Sequence, residues 1–412
     1  EEDAAKLQKM AKLLGMPMKD IEKRLDIENK NFVYIKRQVD ESIAKQIADL
    51  HIKGIYQRKE YRRQYPEGEA VAHIVGFTDV EDKGQEGMER TFNTQLAGKP
   101  GSRRVIKDRL GRVIEGVGEQ VPPTDGQDIH LTIDSKVQYF AWQKLRDAVQ
   151  AYNAKGGSVV VLDVQTGEVL ALANYPSYDP NNRKNLSGEQ LRNRALTDIY
   201  EPGSTMKPVT VALALQQGKV PPNPLIATGN GRMTIGTASI GDTHGYGTLT
   251  VDGVVQKSSN VGTVKISQRL TGEDMGENFS NIGLGQKPDL PFPGMAAGRL
   301  RPYKSWREVE KATMSYGYGL SASLFQLTRA YSVFARDGVM MPVTLVRDGV
   351  VDSTGKFKPL EKSEGKRVYS PKVAKQVMHM LHLVTLPGGT AQQAQTVGYS
   401  VGGKTGTARK QE

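Results

Sequence analysis

The chain has no cysteine, two tryptophans, six histidines and no apolar run approaching the ~18 residues a membrane-spanning helix requires. The first absence excludes disulfides, cysteine nucleophiles and thiolate metal sites, and leaves the redox compartment open. The six histidines form no recognisable catalytic group. His379 and His382 in VMHMLHLV stand one helical turn apart, but no carboxylate or third histidine lies near them in sequence. Packing or surface roles are expected for both, and no metal or other cofactor is expected. No signal peptide opens the chain. What remains is 412 residues, 38% apolar and 25% charged, a composition for a globular protein of two or three domains. The formal charge of +11 suits an anionic partner such as a membrane surface, cell wall or nucleic acid, and selects none of them.

Residues 1 to about 60 are charged and helix-periodic, as in KLQKMAKLLGMPMKDIEKRL. From Tyr61 to Glu119 the texture changes to short segments broken by Gly and Pro. Within it, LAGKPGSRRVIKDRLGRVIEG predicts a β-hairpin turning at Asp108–Gly111. Its basic residues (Arg103, Arg104, Lys107, Arg109, Arg112) lack interleaved aromatics, so a solvated face is expected and nucleic acid is not. VPPTDGQD (Val121 to Asp128) predicts a linker. A strand IHLTI, a helix from about Ser135 to Asn153, and two strands in GGSVVVLDVQTGEVLALANYP around a turn at Gln165–Gly167 follow. Helical patterns dominate from Ser204 to about Gln393, and YSVGGKTGTARK predicts a last strand.

EPGSTMKP, Glu201 to Pro208, sets Ser204 and Lys207 one turn apart ahead of an apolar helical run ending at Gly218. Alone, this reads as a serine helix cap followed by a surface lysine, since caps vastly outnumber catalytic serines. KSSN then supplies Ser258, Ser259 and Asn260 between two helical patterns, and KTGT supplies Lys404 to Thr407. An S-x-x-K, an S-x-N-type triplet and a K-T-G in this order form a known signature of serine acyl transfer. Each is weak alone; the ordered set is strong. The run Tyr316-Gly-Tyr318-Gly319 reads equally as a loop near the site or a packed turn.

On these motifs the chain resembles the class B penicillin-binding proteins, and more narrowly their division (septal) type. YRRQYPEGEAVAHIVGF, GQEGMERTFNTQLAGKPG, SVVVLDVQTGEVLALANYPSYDPN, NRALTDIYEPGSTMKP, QKSSNVGTVKIS, ATMSYGYGLSASLFQLTRAY and GGKTGTARK carry the resemblance along nearly the whole chain. SYGYGLSAS and KTGTARK resemble the septal rather than the elongation type. The resemblance implies an α+β fold. An elongated α/β pedestal, residues 1–126, would precede a serine β-lactamase-like transpeptidase domain, residues 127–412, with an antiparallel sheet and helices.

It also implies a peptidoglycan D,D-transpeptidase that cross-links D-alanyl-D-alanine stem peptides through a serine acyl-enzyme and is blocked by β-lactams. A serine hydroxyl is a poor nucleophile until a base takes its proton, which Lys207 does if it is held neutral. By resemblance, the N–H groups of Ser204 and Thr407 form the oxyanion hole, Ser258 bridges Lys207 and Lys404, and Asn260 binds the stem-peptide amide. Lys404, Thr405 and Thr407 hold the terminal carboxylate, and Gly406 admits the substrate backbone. The expected partners are stem peptides, β-lactams and division-complex proteins including a membrane glycosyltransferase. The expected place is the periplasm, on an inner-membrane anchor absent from this sequence.

Two alternatives compete. A β-lactamase needs a second base, and the loose match at Glu277 and Asn281 reads as structural. A non-catalytic β-lactam sensor or division scaffold would keep the same fold. Finally, KTGTARKQE stops eight residues after Lys404. Later strands and a covering helix of the family are missing, so the transpeptidase domain is expected to be incomplete, with an unsupported Lys404 strand and uncovered faces on Val159–Leu162 and Val169–Leu172.

Overall fold

Three short amphipathic helices, Glu2–Leu14, Met18–Leu25 and Glu41–Ala48, bury Met10, Ala11, Leu14, Ile21 and Ile47 in a small core of their own. The structure, a computed structural model, describes residues 2–28, 30–220, 224–347, 350–351, 357–358 and 364–408. Strands Ser102–Lys107 and Val113–Val121 form the expected hairpin, exposed along nearly its whole length. Asp108 closes its turn by accepting from the N–H groups of Leu110 and Arg112 at 2.9 and 2.8 Å.

Between these two pieces, residues 65–97 pack into the rest of the chain. Ile74, Met88 and Phe92 share a core with Val169, Leu172, Leu196 and Phe325. The helix Ser135–Ala151 begins at Asp134, whose carboxylate accepts from the N–H groups of Lys136 and Val137. Its buried face is Gln138, Ala141, Trp142, Leu145 and Val149, the spacing of an amphipathic helix. Gln138 is fully buried and donates to the carbonyls of Ala70 (2.7 Å) and Leu172 (3.0 Å), while accepting from Leu172 N–H at 2.7 Å. One amide side chain therefore ties helix, strand and the incoming N-terminal segment together. Tyr178 O–H to the Ala72 carbonyl and Arg183 to the Thr78 carbonyl extend the seam.

Gly157–Leu162 and Val169–Tyr175 pair antiparallel as expected. Strand alternation turns Val159, Ala173 and Tyr175 toward Trp142, Leu145 and Val149, and Val160, Leu162 and Leu172 toward Phe325 and Leu196. Val169 and Ala171 to Ala173 are buried, whereas Gly157–Leu162 is only half-buried. At the centre lies helix Lys207–Gln216, buried from Lys207 to Ala214 and enclosed by helices Val251–Lys257, Asn260–Ser267, Gly272–Asn281 and Pro371–Val384. A helix apolar on every side is a core helix, which explains its lack of a polar stripe.

Three expectations of secondary structure need correction. IHLTI is not a ladder strand; it bridges residues 344–347 only locally, through Thr132 N–H to the Leu345 carbonyl and Arg347 N–H to the His130 carbonyl. The stretch from Ser204 to about Gln393 is not helical throughout: it contains four antiparallel strand pairs among the described residues. These are Leu225–Gly229 with Gly247–Thr250, Arg232–Ile235 with Ala238–Gly241, and the short pairs Val339–Met340 with Lys366–Arg367 and Val350–Val351 with Phe357–Lys358. Residues 401–408 run without regular structure, because among the described residues no strand offers them a backbone ladder. Gly403 N–H to the Leu381 carbonyl (3.0 Å) fixes them instead.

Candidate active site

Ser204 lies in a 3-10 turn, Gly203–Met206, immediately ahead of the central helix, and Lys207 is that helix's first residue. The hydroxyl therefore caps no helix, and among the described residues it has no hydrogen-bond partner. Lys207 is not at the surface either: it is 1% exposed. Its ammonium donates to the Ser258 carbonyl at 2.7 Å and to Ser258 Oγ at 3.0 Å.

Ser258 occupies the turn between helices Val251–Lys257 and Asn260–Ser267 in the left-handed conformation, φ 59° and ψ 51°. That conformation is unfavourable for a residue with a Cβ and persists only where surroundings hold it. It aims carbonyl and hydroxyl together at Lys207. From the other side Lys404 donates to the same Oγ at 2.9 Å and to the Thr405 carbonyl at 2.8 Å. The structure thus brings Lys207, Ser258 and Lys404 together around one oxygen.

Two ammonium groups on one hydroxyl repel, and Lys207 is buried while Lys404 is half-buried. Burial pulls Lys207 down to about 7, helped by the charge of Lys404 and opposed by Asp242. Burial alone lowers Lys404 to about 8. Near neutral pH the favoured state keeps Lys207 neutral and Lys404 charged. Ser258 then donates its proton toward the Lys207 lone pair while accepting from Lys404.

The remaining KTGT residues pack around the Ser204 turn. A Cβ on Gly406 would stand 2.8 Å from the Thr205 methyl group and 3.2 Å from the Pro202 carbonyl. The glycine therefore lets the segment approach the Ser204 turn itself, besides any room it leaves for substrate. Thr407 lies against Gly203, and its carbonyl accepts from Tyr318 O–H at 3.1 Å. Thr405 shares a 2.7 Å hydrogen bond with Thr390, which lines a cavity of about 490 Å³ with Gly389, Gln392 and Gln393. The Tyr316–Gly319 run is a packed turn touching the site: Gly317 O accepts from Gly203 N–H, and Gly319 N–H donates to Glu201.

Asn260 donates from its side-chain amide to the Gly241 carbonyl at 2.9 Å. Beside it stands a residue that sequence reasoning missed. Asp242, just beyond the strand Ala238–Gly241, accepts from Ser259 O–H (2.6 Å), Asn260 N–H (2.6 Å) and Val261 N–H (3.1 Å). It caps the helix that follows Ser259, and its charge favours the protonated form of Lys207. Ser259, fully buried, adds its own cap bond from Gly262 N–H at 2.9 Å. A lone Asp in a glycine-rich loop carries no signal of this.

The rejected candidates sit elsewhere. Glu277 is exposed, and Asn281 accepts from Lys366. His379 faces Asp252 at 3.7 Å, and His382 bonds the Val401 carbonyl at 2.9 Å.

Comparison with known proteins agrees with this geometry. Residues 157–412 match the penicillin binding protein transpeptidase domain, and residues 1–131 match the penicillin-binding protein dimerisation domain. A relative in Neisseria meningitidis, named probable peptidoglycan D,D-transpeptidase PenA, is 41% identical over 99% of this chain and 68% of its own. In Escherichia coli K12, peptidoglycan D,D-transpeptidase FtsI is 40% identical over 97% of this chain and 66% of its own. The chain thus spans about two thirds of these relatives' length. Among solved structures, the apo transpeptidase domain of Burkholderia pseudomallei penicillin-binding protein 3 is 51% identical at a TM-score of 0.61, covering 68% of this chain and 78% of that one. A peptidoglycan synthetase from Bifidobacterium adolescentis is 29% identical at a TM-score of 0.72, covering 92% of this chain and 70% of that one. A lysine pair on one serine, a turn away from a second serine, lies within the matched transpeptidase domain, and with both domains matched the chain belongs to the penicillin-binding protein transpeptidase family.

Proposed function

We propose that this chain is a peptidoglycan D,D-transpeptidase that works through an ester on Ser204 and that β-lactams block by acylating the same oxygen. The observation that carries the reading is the Lys207–Ser258–Lys404 cluster one turn from Ser204. Neutral Lys207 takes the Ser204 proton as Oγ attacks the carbonyl of the penultimate D-alanine. The developing oxyanion falls to the N–H groups of Ser204 and Thr407, each such donor being worth about a hundredfold or more in rate. Ser258 passes the proton from Lys207 to the departing D-alanine nitrogen, the C–N bond breaks and the ester remains. An acceptor amine then attacks that ester, its proton returns along the same groups, and Ser204 leaves with its hydroxyl restored.

Lys404, Thr405 and Thr407 hold the terminal carboxylate. Asn260 offers its amide oxygen to a stem-peptide N–H, since its nitrogen is used on Gly241. Kinship with FtsI and PenA supports a role at the division septum, beside a membrane glycosyltransferase, on the periplasmic face of the inner membrane. Residues 1–126 are the pedestal of this machine and residues 127–412 its catalytic part. Intact-mass analysis after benzylpenicillin treatment is the test. One adduct is expected, lost in Ser204→Ala, and an adduct that persists in that variant overturns the reading.

A further inference from the structure

The turn that carries Ser204 is short and held locally by 3-10 bonds rather than by an α-helical ladder. Pro208 has no N–H, so the Ser204 carbonyl receives no i+4 donor and takes the Lys207 N–H in 3-10 fashion. Besides its i+3 backbone bonds, the turn has a side-chain bond, Thr205 Oγ1 to the Pro202 carbonyl at 2.9 Å. The Ser204 hydroxyl itself is free of partners among the described residues. Its aim must come from its two neighbours in the chain.

Each neighbour is pinned from outside. On one side Gly203, at φ 63°, donates its N–H to the Gly317 carbonyl at 2.9 Å. On the other, the Thr205 carbonyl accepts from Tyr331 O–H at 2.6 Å. Tyr331 stands on the helix Leu324–Ala335, which begins at a capping box between Ser323 and Gln326. Gln326 anchors that helix further by donating to the Gln286 and Ala297 carbonyls. The Tyr331 ring packs edge-on to Phe334, 5.8 Å between centroids, and keeps some exposure while its hydroxyl end is buried. That burial raises the phenol's pKa, so the group remains a donor throughout the working pH range.

We propose that Tyr331 is a positioning residue for acyl transfer, fixing the orientation of Ser204 by holding the carbonyl of the next residue. It touches neither substrate nor the reacting atoms. Near-attack geometry is sensitive: an ångström of misplacement costs on the order of a hundredfold in rate. Loss of a single pin leaves the Gly317 contact in place, so the expected loss is smaller.

The proposal rests on Ser204 being the acylated residue, and the experiment separates the two. Acylation by a chromogenic β-lactam is followed by stopped flow, resolving the non-covalent dissociation constant from the acylation rate constant. In Tyr331→Phe the rate constant is expected to fall about tenfold, or about 1.4 kcal/mol of barrier. The dissociation constant and both limbs of the pH profile should stay put, because Lys207 and Lys404 are untouched. A p-aminophenylalanine at position 331 retains a donor and should recover most of the rate. A folded Tyr331→Phe variant with the wild-type rate constant, or an amino variant as slow as it, overturns the proposal. Should Tyr331→Phe fail to fold, 3-fluorotyrosine at this position decides, since it keeps the shape with a stronger donor. A faster rate supports the proposal and an unchanged or slower one overturns it. If the wild-type protein carries its adduct on another residue, the assignment of Ser204 has failed instead.

Discussion

Gln138 and Lys207 are buried to nearly the same degree, at 0% and 1% exposure, yet their surroundings treat them in opposite ways. Around Gln138 every partner is neutral and complementary: two carbonyls accept and one N–H donates. Around Lys207 the partners are the Ser258 carbonyl and a hydroxyl that a second lysine also claims. A satisfied polar group in a dry interior rigidifies the fold. A buried cation facing another cation costs stability and gains reactivity, because the strain is relieved by giving up a proton. The same degree of burial thus serves architecture at one end of the core and chemistry at the other.

The contrast can be broken most directly at Lys207. Lys207→Met should lower acylation about a thousandfold, within the range for a lost general base. It should also make the protein more stable at pH 7, by about 2–4 kcal/mol, since the lysine's pKa falls from 10.5 to about 7 on folding. The unfolded chain binds the extra proton between these values. Wild-type stability should therefore rise from pH 7 toward pH 10, and the methionine variant should lose much of that slope. Chemical denaturation across this range checks it; a variant less stable than wild type at pH 7 would end the contrast.

Gln138→Leu should do the converse. It leaves two carbonyls and one N–H buried without a partner, for a loss of about 3 kcal/mol. The folded fraction should still acylate at close to the wild-type rate, as penicillin labelling at low temperature would reveal. A large rate loss without destabilisation would mean that the N-terminal segment shapes the site directly.

Asp242→Asn sharpens the contrast with the smallest effect. An asparagine keeps the shape, accepting from Asn260 and Val261 N–H while its nitrogen donates to Ser259. What it removes is the anion that raises the Lys207 pKa against burial and Lys404. The acid limb of the acylation pH profile should move to lower pH, with the peak rate changed a few-fold at most. A limb that stays in place would show that Asp242 acts only as a cap.

The candidate-site residues Ser204, Lys207, Ser258, Asn260 and Lys404 were legible because they sit in short ordered motifs. The two flanking strands and the basic hairpin were legible from alternation and turn residues. Asp242, Gln138 and Tyr331 were not, because each acts on backbone that is distant in sequence, and a polar residue in a loop or helix announces no such partner. The strand expected at 401–408 failed for a related reason: β-propensity describes a fit to a neighbour, and here the neighbouring contacts come from a turn and a helix end.

The packing behind Ser204 bears on how such an enzyme changes under selection. A Cβ at Gly317 would stand 1.8 Å from the Gly203 carbonyl oxygen, and one at Gly203 would stand 2.5 Å from the Thr407 carbonyl oxygen. Both glycines hold positive φ, so a side chain is strained there in any case. Any substitution at either position moves the backbone that bears Ser204, and with it the turnover of the natural substrate. This wall is closed to mutational drift. Variants that learn to tell a drug from a stem peptide must therefore arise elsewhere, among side chains free to vary without carrying the serine along.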